Sequence, residues 1–211
     1  MFKETALYHH LKNEALDVIE AAFLKHDKLA LLFSGGKDST VLGHLVEQVA
    51  VKLDREYYLV HVDTGFNFQE VLEFRDNYAK QLGRQLIVGK VGTSDPSRVN
   101  RAQSQVLNAT IIEYNFDIVF GGGRRDEDKA RQKELFFSLR KNGGGWEPEI
   151  AQVEIGTMGG FSKKSDQHFR VFPLNNWTEL DIWVFIALNK LNVSSLYYSH
   201  ARSLHWDKQS K

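Results

Sequence analysis

The residues best suited to chemistry stand together early in the chain. Ser34-Gly35-Gly36-Lys37-Asp38-Ser39 follows the apolar run Leu29–Phe33 and leads into a helical pattern through Val41, Leu42, Leu45, Val46 and Val49. Glycines at such a strand-to-helix turn let the backbone approach a ligand, and the first helical amides point outward unpaired. Those amides and the positive end of the helix dipole make an anion site. Ser34, Ser39 and Thr40 add hydroxyls, and Lys37 adds a point charge suited to phosphate. Two adjacent glycines alone would equally suit a plain turn with a solvated lysine; the whole hexapeptide after a buried strand is more specific. It is not the Walker loop, because Leu31 stands where that pattern needs glycine and Asp38 where it needs Ser or Thr. Nor is it the Gly-x-Gly-x-x-Gly fingerprint.

Two further segments end on the same predicted sheet edge. His61-Val62-Asp63-Thr64-Gly65 closes a second strand, where Asp63 could accept from a ribose or an amine and Thr64 could offer a hydroxyl. A helix N-cap would use Asp63 and Thr64 equally well, and His61 reads as a packed residue. Gly121-Gly122-Gly123-Arg124-Arg125 follows a fourth strand, so Gly122 and Gly123 would allow close backbone approach to a nucleotide. From Arg124 to Lys141 there are seven Lys or Arg against four Asp or Glu. A solvated helix face accounts for Lys133, Arg140 and Lys141. Arg124 and Arg125 directly follow the glycines, and planar bidentate donors there suit an oxyanion.

The elements that must position these residues follow from periodicity. Helical spacing runs from Thr5 to His26, then after the loop to Val49, from Phe68 to Leu82 with Phe74 and Tyr78 inward, and from Asp95-Pro96 to Tyr114. Strands are expected at Leu29–Phe33, Tyr57–Val62, Gln85–Val91, Asp117–Phe120 and Arg170–Leu174. A last helix opens at Asn176-Trp177-Thr178, with Asp181 three residues on as in a capping box. Trp177, Leu180 and Trp183 are expected in the core or at an interface. Alternating strands and helices predict an α/β fold, a doubly wound, mainly parallel five-stranded sheet with helices on both faces.

The 211 residues suit a single domain, 1–211. Within it, the glycine-rich stretch from about 142 to 168 is expected to be a mobile lid or docking segment, ahead of a short C-terminal tail. Lys plus Arg and Asp plus Glu are both 27, so bulk nucleic-acid binding is disfavoured. Cysteine is absent, which removes disulfides, thiolate metal sites and cysteine nucleophiles. No apolar run near the N-terminus is long enough to span a membrane, and the acidic residues there do not suit a leader, so a cytoplasmic protein is expected.

Ser34–Ser39 resembles the pyrophosphate-binding loop of the ATP pyrophosphatase (PP-loop) superfamily, which has an adenine nucleotide alpha hydrolase-like fold. With His61–Asp76, Gly121–Arg140, Arg170–Trp183 and a later echo in Leu196-Tyr197-Tyr198 and Arg202, the chain is similar to the small catalytic subunits of bacterial sulfate adenylyltransferase, within the PAPS reductase-like family. The resemblance implies ATP and sulfate as substrates, adenosine 5′-phosphosulfate and pyrophosphate as products, and a GTPase large subunit as partner. It implies that Ser34, Gly35, Gly36, Lys37, Asp38 and Ser39 hold the β,γ-phosphates and that Asp63 contacts the nucleoside. Arg124 and Arg125 would hold sulfate or the α-phosphate, and Asp38 would help position Mg2+. The family continues well past the Arg202 motif and differs over 143–167, so a C-terminally shortened relative is expected. A reductase of the same fold would need a cysteine this chain lacks. A nucleotide-binding module without turnover, or an adenylyltransferase with another acceptor such as flavin mononucleotide, are the other readings.

Overall fold

The computed structural model describes residues 3–92, 95–127, 129–141 and 163–199. Thr5 caps the first helix, α1 (Ala6–Lys25), by accepting from the Tyr8 amide. Ala15, Val18, Ile19, Ala22 and Phe23 recur along its inner face and are fully buried. Strand β1 (Leu29–Leu32) then runs through the centre of the molecule. Helix α2 (Lys37–Leu53), β2 (Tyr58–Asp63), α3 (Gln69–Leu82) and β3 (Leu86–Lys90) follow. Helices α2, α3 and α4 (Val99–Tyr114) each stop at a residue in the left-handed conformation, Asp54, Gly83 and Asn115, and the last helix does so at Lys190. The expected helix start at Asp95 becomes a single 3-10 turn, Pro96–Arg98, with Asp95 Oδ1 accepting from the Ser97 amide at 3.0 Å.

The chain continues through β4 (Ile118–Phe120), β5 (Phe137–Lys141), β6 (Gln167–Val171) and α5 (Glu179–Asn189). The sheet has six strands in the order β3-β2-β1-β4-β6-β5, parallel except for the β5–β6 pair. This corrects the five-stranded expectation at one edge. Phe137 and Leu139 point into the core while Ser138 and Arg140 face the other way, the two-residue period of a strand. The neighbouring charges hid that alternation, and Arg140 and Lys141 therefore lie on a strand, not on a solvated helix face. The last parallel strand also begins three residues before Arg170, inside the stretch expected to be a mobile segment. Its first residues, Gln167 and His168, are polar yet buried, so their types gave no strand signal. Residues 142–162 and the Arg202 motif lie outside the described residues.

One face of the sheet carries α1, α2, α3 and α5 around Leu29, Leu31, Phe120 and Phe169. The other carries α4, packed through Leu107 and Ile111 on Ala30, Val60 and Val119. Phe74 and Tyr78 turn inward as expected and stack on Phe33, Tyr78 with ring centroids 4.5 Å apart. Trp177 is buried and Trp183 partly so, but Leu180 is 63% exposed and is not core. Thr178 and Asp181 form the expected reciprocal capping box at α5. No helix among the described residues is long and apolar enough to cross a membrane.

The strand order fixes where a ligand can sit. From β1 the chain winds outward to β2 and β3, then crosses back to β4 on β1's other side. The connections after β1 and β4 therefore diverge, which opens a crevice at their carboxyl ends. Ser34–Ser39 and Gly121–Arg125 are those two connections.

Candidate functional site

The loop after β1 is shaped by Gly35, whose φ of +79° lies in the left-handed region. A Cβ there would also come within 2.8 Å of Val71 Cγ1 on α3, so side chains are excluded twice over. Gly36 then sits extended at the N-cap of α2, and its carbonyl accepts from the Thr40 amide and from the Ser39 and Thr40 hydroxyls. Ser34 Oγ accepts from the Gly36 amide at 3.2 Å and lies 3.1 Å from Ser39 Oγ. These hydroxyls brace the loop internally. The Asp38 and Ser39 amides have no acceptor within the helix, and the Lys37 amide donates to Tyr197 Oη at 3.0 Å. A phenolic oxygen thus stands where an anion's oxygen would accept. On this side the loop opens into a cavity of about 430 Å³ bordered by Phe66, Phe68 and Tyr197.

Four charges close a ring at the α2 N-terminus. Asp38 Oδ2 accepts from Lys37 Nζ at 2.9 Å, and its Oδ1 from Arg124 Nε at 2.8 Å. Glu179 Oε2 takes Arg124 Nη2 at 2.8 Å and Lys37 Nζ at 3.1 Å. Burial works against the Lys37 ammonium, but hydrogen bonds and charge from Asp38 and Glu179 outweigh it and hold its pKa above the ordinary lysine value. Lys37 is therefore a fixed cation at the mouth of the loop.

The two arginines do not present themselves to an acceptor. The Arg124 side chain is only 4% exposed and is committed to Asp38 and Glu179; its buried Nη1 has no hydrogen-bond partner and lies 3.7 Å from Asp126. Arg125 points away from the loop, donating to the Glu134 carbonyl at 2.9 Å and to Asn176 Oδ1 at 2.6 Å, with its guanidinium over the Phe136 ring. Both bind the chain to itself, so an acceptor site at this pair does not fit the geometry. Asp38, the expected magnesium ligand, has each of its oxygens facing a cation; magnesium commonly takes only one or two carboxylates beside a nucleotide's phosphates.

At the end of β2, Asp63 Oδ1 accepts from the Gly65 amide and Thr64 bonds to Asn67 through both its amide and its hydroxyl. The Thr64 hydroxyl also accepts from Phe66, so it serves the turn. His61 is buried with Nδ1 2.8 Å from the Phe33 carbonyl, and burial, ahead of other causes, lowers its pKa. The glycines after β4 do come close to the loop: a Cβ on Gly122 would lie 3.3 Å from the Ser39 amide nitrogen. On the α4 side of those glycines lies a second cavity, about 540 Å³, lined by Gly121–Gly123, Arg131, Arg140, His168 and Arg170. A larger cavity, about 650 Å³, between α2, α3 and the end of α5 contains none of the residues Ser34–Ser39.

The structure therefore gathers Ser34–Ser39, Gly122, Gly123 and Arg124, and leaves Arg125 outside. Sequence reasoning did not single out Glu179, which it passed over as part of a helix start, and it placed Tyr197 in a motif without the role it has at the loop, 160 residues from the amide it meets. Arg131 and Arg170 were likewise not picked out.

Fold and site together define an α/β protein with a glycine-formed loop at the switch point of a doubly wound sheet. The chain belongs to the phosphoadenosine phosphosulfate reductase domain family, whose sequence profile matches residues 28–204. It is 40% identical over 203 residues to sulfate adenylyltransferase subunit 2 of Mycolicibacterium vanbaalenii, covering 92% of this chain and 65% of that one. It is also 40% identical over 204 residues to the corresponding protein of Streptomyces lavendulae, covering 92% and 64%. The chain thus spans less than two thirds of the length of these relatives. Among solved structures, Candida glabrata FMN adenylyltransferase in complex with FAD and inorganic pyrophosphate matches with a TM-score of 0.66 at 16% identity, over 91% of this chain and 60% of that one. A phosphoadenylyl-sulfate reductase from Candida auris, in a phosphate complex, matches at 0.59 and 14% identity, over 93% and 92%. At such identities these two support the fold alone.

Proposed function

We propose that the chain is the catalytic part of a sulfate adenylyltransferase: it cleaves ATP between the α and β phosphates and transfers AMP to sulfate. The observation that carries this reading is the Ser34–Ser39 loop, where a glycine-formed turn aims the first α2 amides at the crevice beside a held ammonium. The β,γ-phosphates lie along those amides, with the oxygen now supplied by Tyr197 replaced by one from the nucleotide. A sulfate oxygen attacks the α-phosphorus in line, the bond to the bridging oxygen breaks, and pyrophosphate leaves with the electron pair. Sulfate carries no proton at neutral pH, so no general base is required. Lys37 neutralises charge on the departing group, while Arg124 acts as a positioning residue that fixes Asp38 and Glu179 beside it. Asp63, with Gly122 and Gly123, lies at the same edge and is the candidate contact for the nucleoside.

Relatives at 40% identity named as subunit 2 of sulfate adenylyltransferase support this reading, and the word subunit supports a partner. The partner is a GTPase large subunit, and the compartment is the cytoplasm. Magnesium would come with the nucleotide's phosphates, since Asp38 is already paired. Exchange of labelled pyrophosphate into ATP tests the reaction. Exchange that requires sulfate is expected; exchange that ignores sulfate but responds to flavin mononucleotide would reassign the acceptor.

A further inference from the structure

The α4 face of the β4–β6–β5 end of the sheet is basic. Arg140 and Arg170 project from neighbouring strands, and Arg131 follows the glycine run; all three line the 540 Å³ cavity beside Gly121–Gly123. Among the described residues their charge is poorly compensated: Glu134 is the one carboxylate of these lining the cavity, and it is engaged by Arg140 at 3.1 Å. Arg131 reaches Glu127 only at 3.7 Å. Arg170 has no ion pair or side-chain hydrogen bond among the described residues, and its Nε is buried without an acceptor, as is that of Arg140. Burial first, then the charge of Arg140, brings the Arg170 pKa down to about 10. A buried guanidinium without an anion is unfavourable unless a ligand supplies one.

The placement is specific. Gly123 leaves the space in which the Arg131 guanidinium lies against the main chain, in direct contact with where a Cβ would stand. Gly122, next to it, abuts the first turn of α2. The cavity and the phosphate loop are therefore neighbours across two glycines.

We propose that Arg170 and Arg131, supported by Arg140, form a binding site for a small tetrahedral oxyanion, and that this site holds the acceptor for adenylyl transfer. The second half of the statement rests on the proposed function; the first does not. The site replaces Arg124 and Arg125 as the acceptor's holders. An anion placed there faces the α-phosphorus of a nucleotide whose β,γ-phosphates lie on the loop, and its own oxygen forms the new bond as pyrophosphate leaves. Three guanidiniums offer forked donors matched to such an anion.

Equilibrium dialysis with labelled sulfate and with labelled phosphate tests the site without turnover, and exchange kinetics test its role. Wild type is expected to bind one sulfate per chain, with Arg170→Ala and Arg131→Gln each weakening it about tenfold or more. Arg131 is half exposed, so its variant tests the site even if Arg170→Ala fails to fold. In exchange assays the same variants should raise the KM for sulfate by a similar factor and leave the KM for ATP unchanged. Binding in the wild type that neither substitution alters overturns the site, as does no binding of either anion. Weakened binding with no sulfate-dependent exchange in wild type would retain the site and refute the adenylyltransferase reading. Phosphate binding as tight as sulfate, with exchange stimulated only by flavin mononucleotide, would overturn sulfate as the occupant.

Discussion

Asp38 and Arg124 are 86 residues apart in the chain and meet at 2.8 Å, carboxylate to guanidinium, across the crevice between the connections after β1 and β4. Asp38's other oxygen holds Lys37. One carboxylate thereby locks the loop's cation to the opposite wall of the crevice, and an arginine that looks like a ligand-binding group from its neighbours serves as a strut.

Arg124→Ala should therefore be a stability variant first. Its side chain is almost fully buried, and its loss leaves Asp38 Oδ1 without its donor while Oδ2 keeps Lys37, so a destabilisation of about 3 kcal/mol is expected. The Glu179 contact adds little, since that side chain is 52% exposed. Arg124→Lys should recover only part, because an ammonium cannot fork between two carboxylates. Urea unfolding measures both; a midpoint unchanged from wild type would remove the strut.

Lys37→Ala should behave in the opposite way. Asp38 keeps Arg124, so the unfolding midpoint stays near wild type, while pyrophosphate exchange falls by about a hundredfold or more. Turnover at the wild-type rate would take Lys37 out of the mechanism.

Tyr197→Phe deletes the hydroxyl that accepts from the Lys37 amide. If that oxygen occupies a phosphate position, ATP need no longer displace it. One neutral hydrogen bond corresponds to roughly a fivefold change, so the KM for ATP should fall by about that factor with kcat preserved. A KM that rises would instead make the hydroxyl a nucleotide ligand.

His168 sets an acid limit. Burial first, then the charges of Arg170, Arg140 and Lys163, lower its pKa to about 4. The unfolded chain titrates near 6.5, so between those values it binds more protons than the folded one. Stability is complete above pH 6.5 and is lost as the pH falls towards 4, by as much as about 3 kcal/mol. Urea midpoints at pH 7 and pH 5 read the loss, and His168→Gln should flatten it.

The parallel core of the fold was legible because apolar runs and glycine turns announce themselves. Leu29–Phe33, the Ser34–Gly36 turn and the Thr178–Asp181 box all do this locally. The antiparallel edge was not, since Ser138 and Arg140 alternate with core residues inside a charged stretch, and Gln167 and His168 are polar residues buried by their neighbours. The loop itself was legible for the same local reason. What each arginine does was hidden, because it depends on partners far away in sequence: Arg124 on Asp38, Arg125 on Asn176, and Arg170 on having no ion pair among the described residues. Tyr197 stands in a motif visible in the sequence, but its contact with the Lys37 amide could be found only by folding the chain.

The central claim is that the α2 amides receive the diphosphate, and a crystal grown with pyrophosphate tests it most directly. The result expected is a pyrophosphate oxygen on the Lys37 amide, others towards Asp38 and Ser39, and the Tyr197 hydroxyl moved off. Tyr197 still bonded to that amide, with pyrophosphate bound elsewhere or absent, would contradict it.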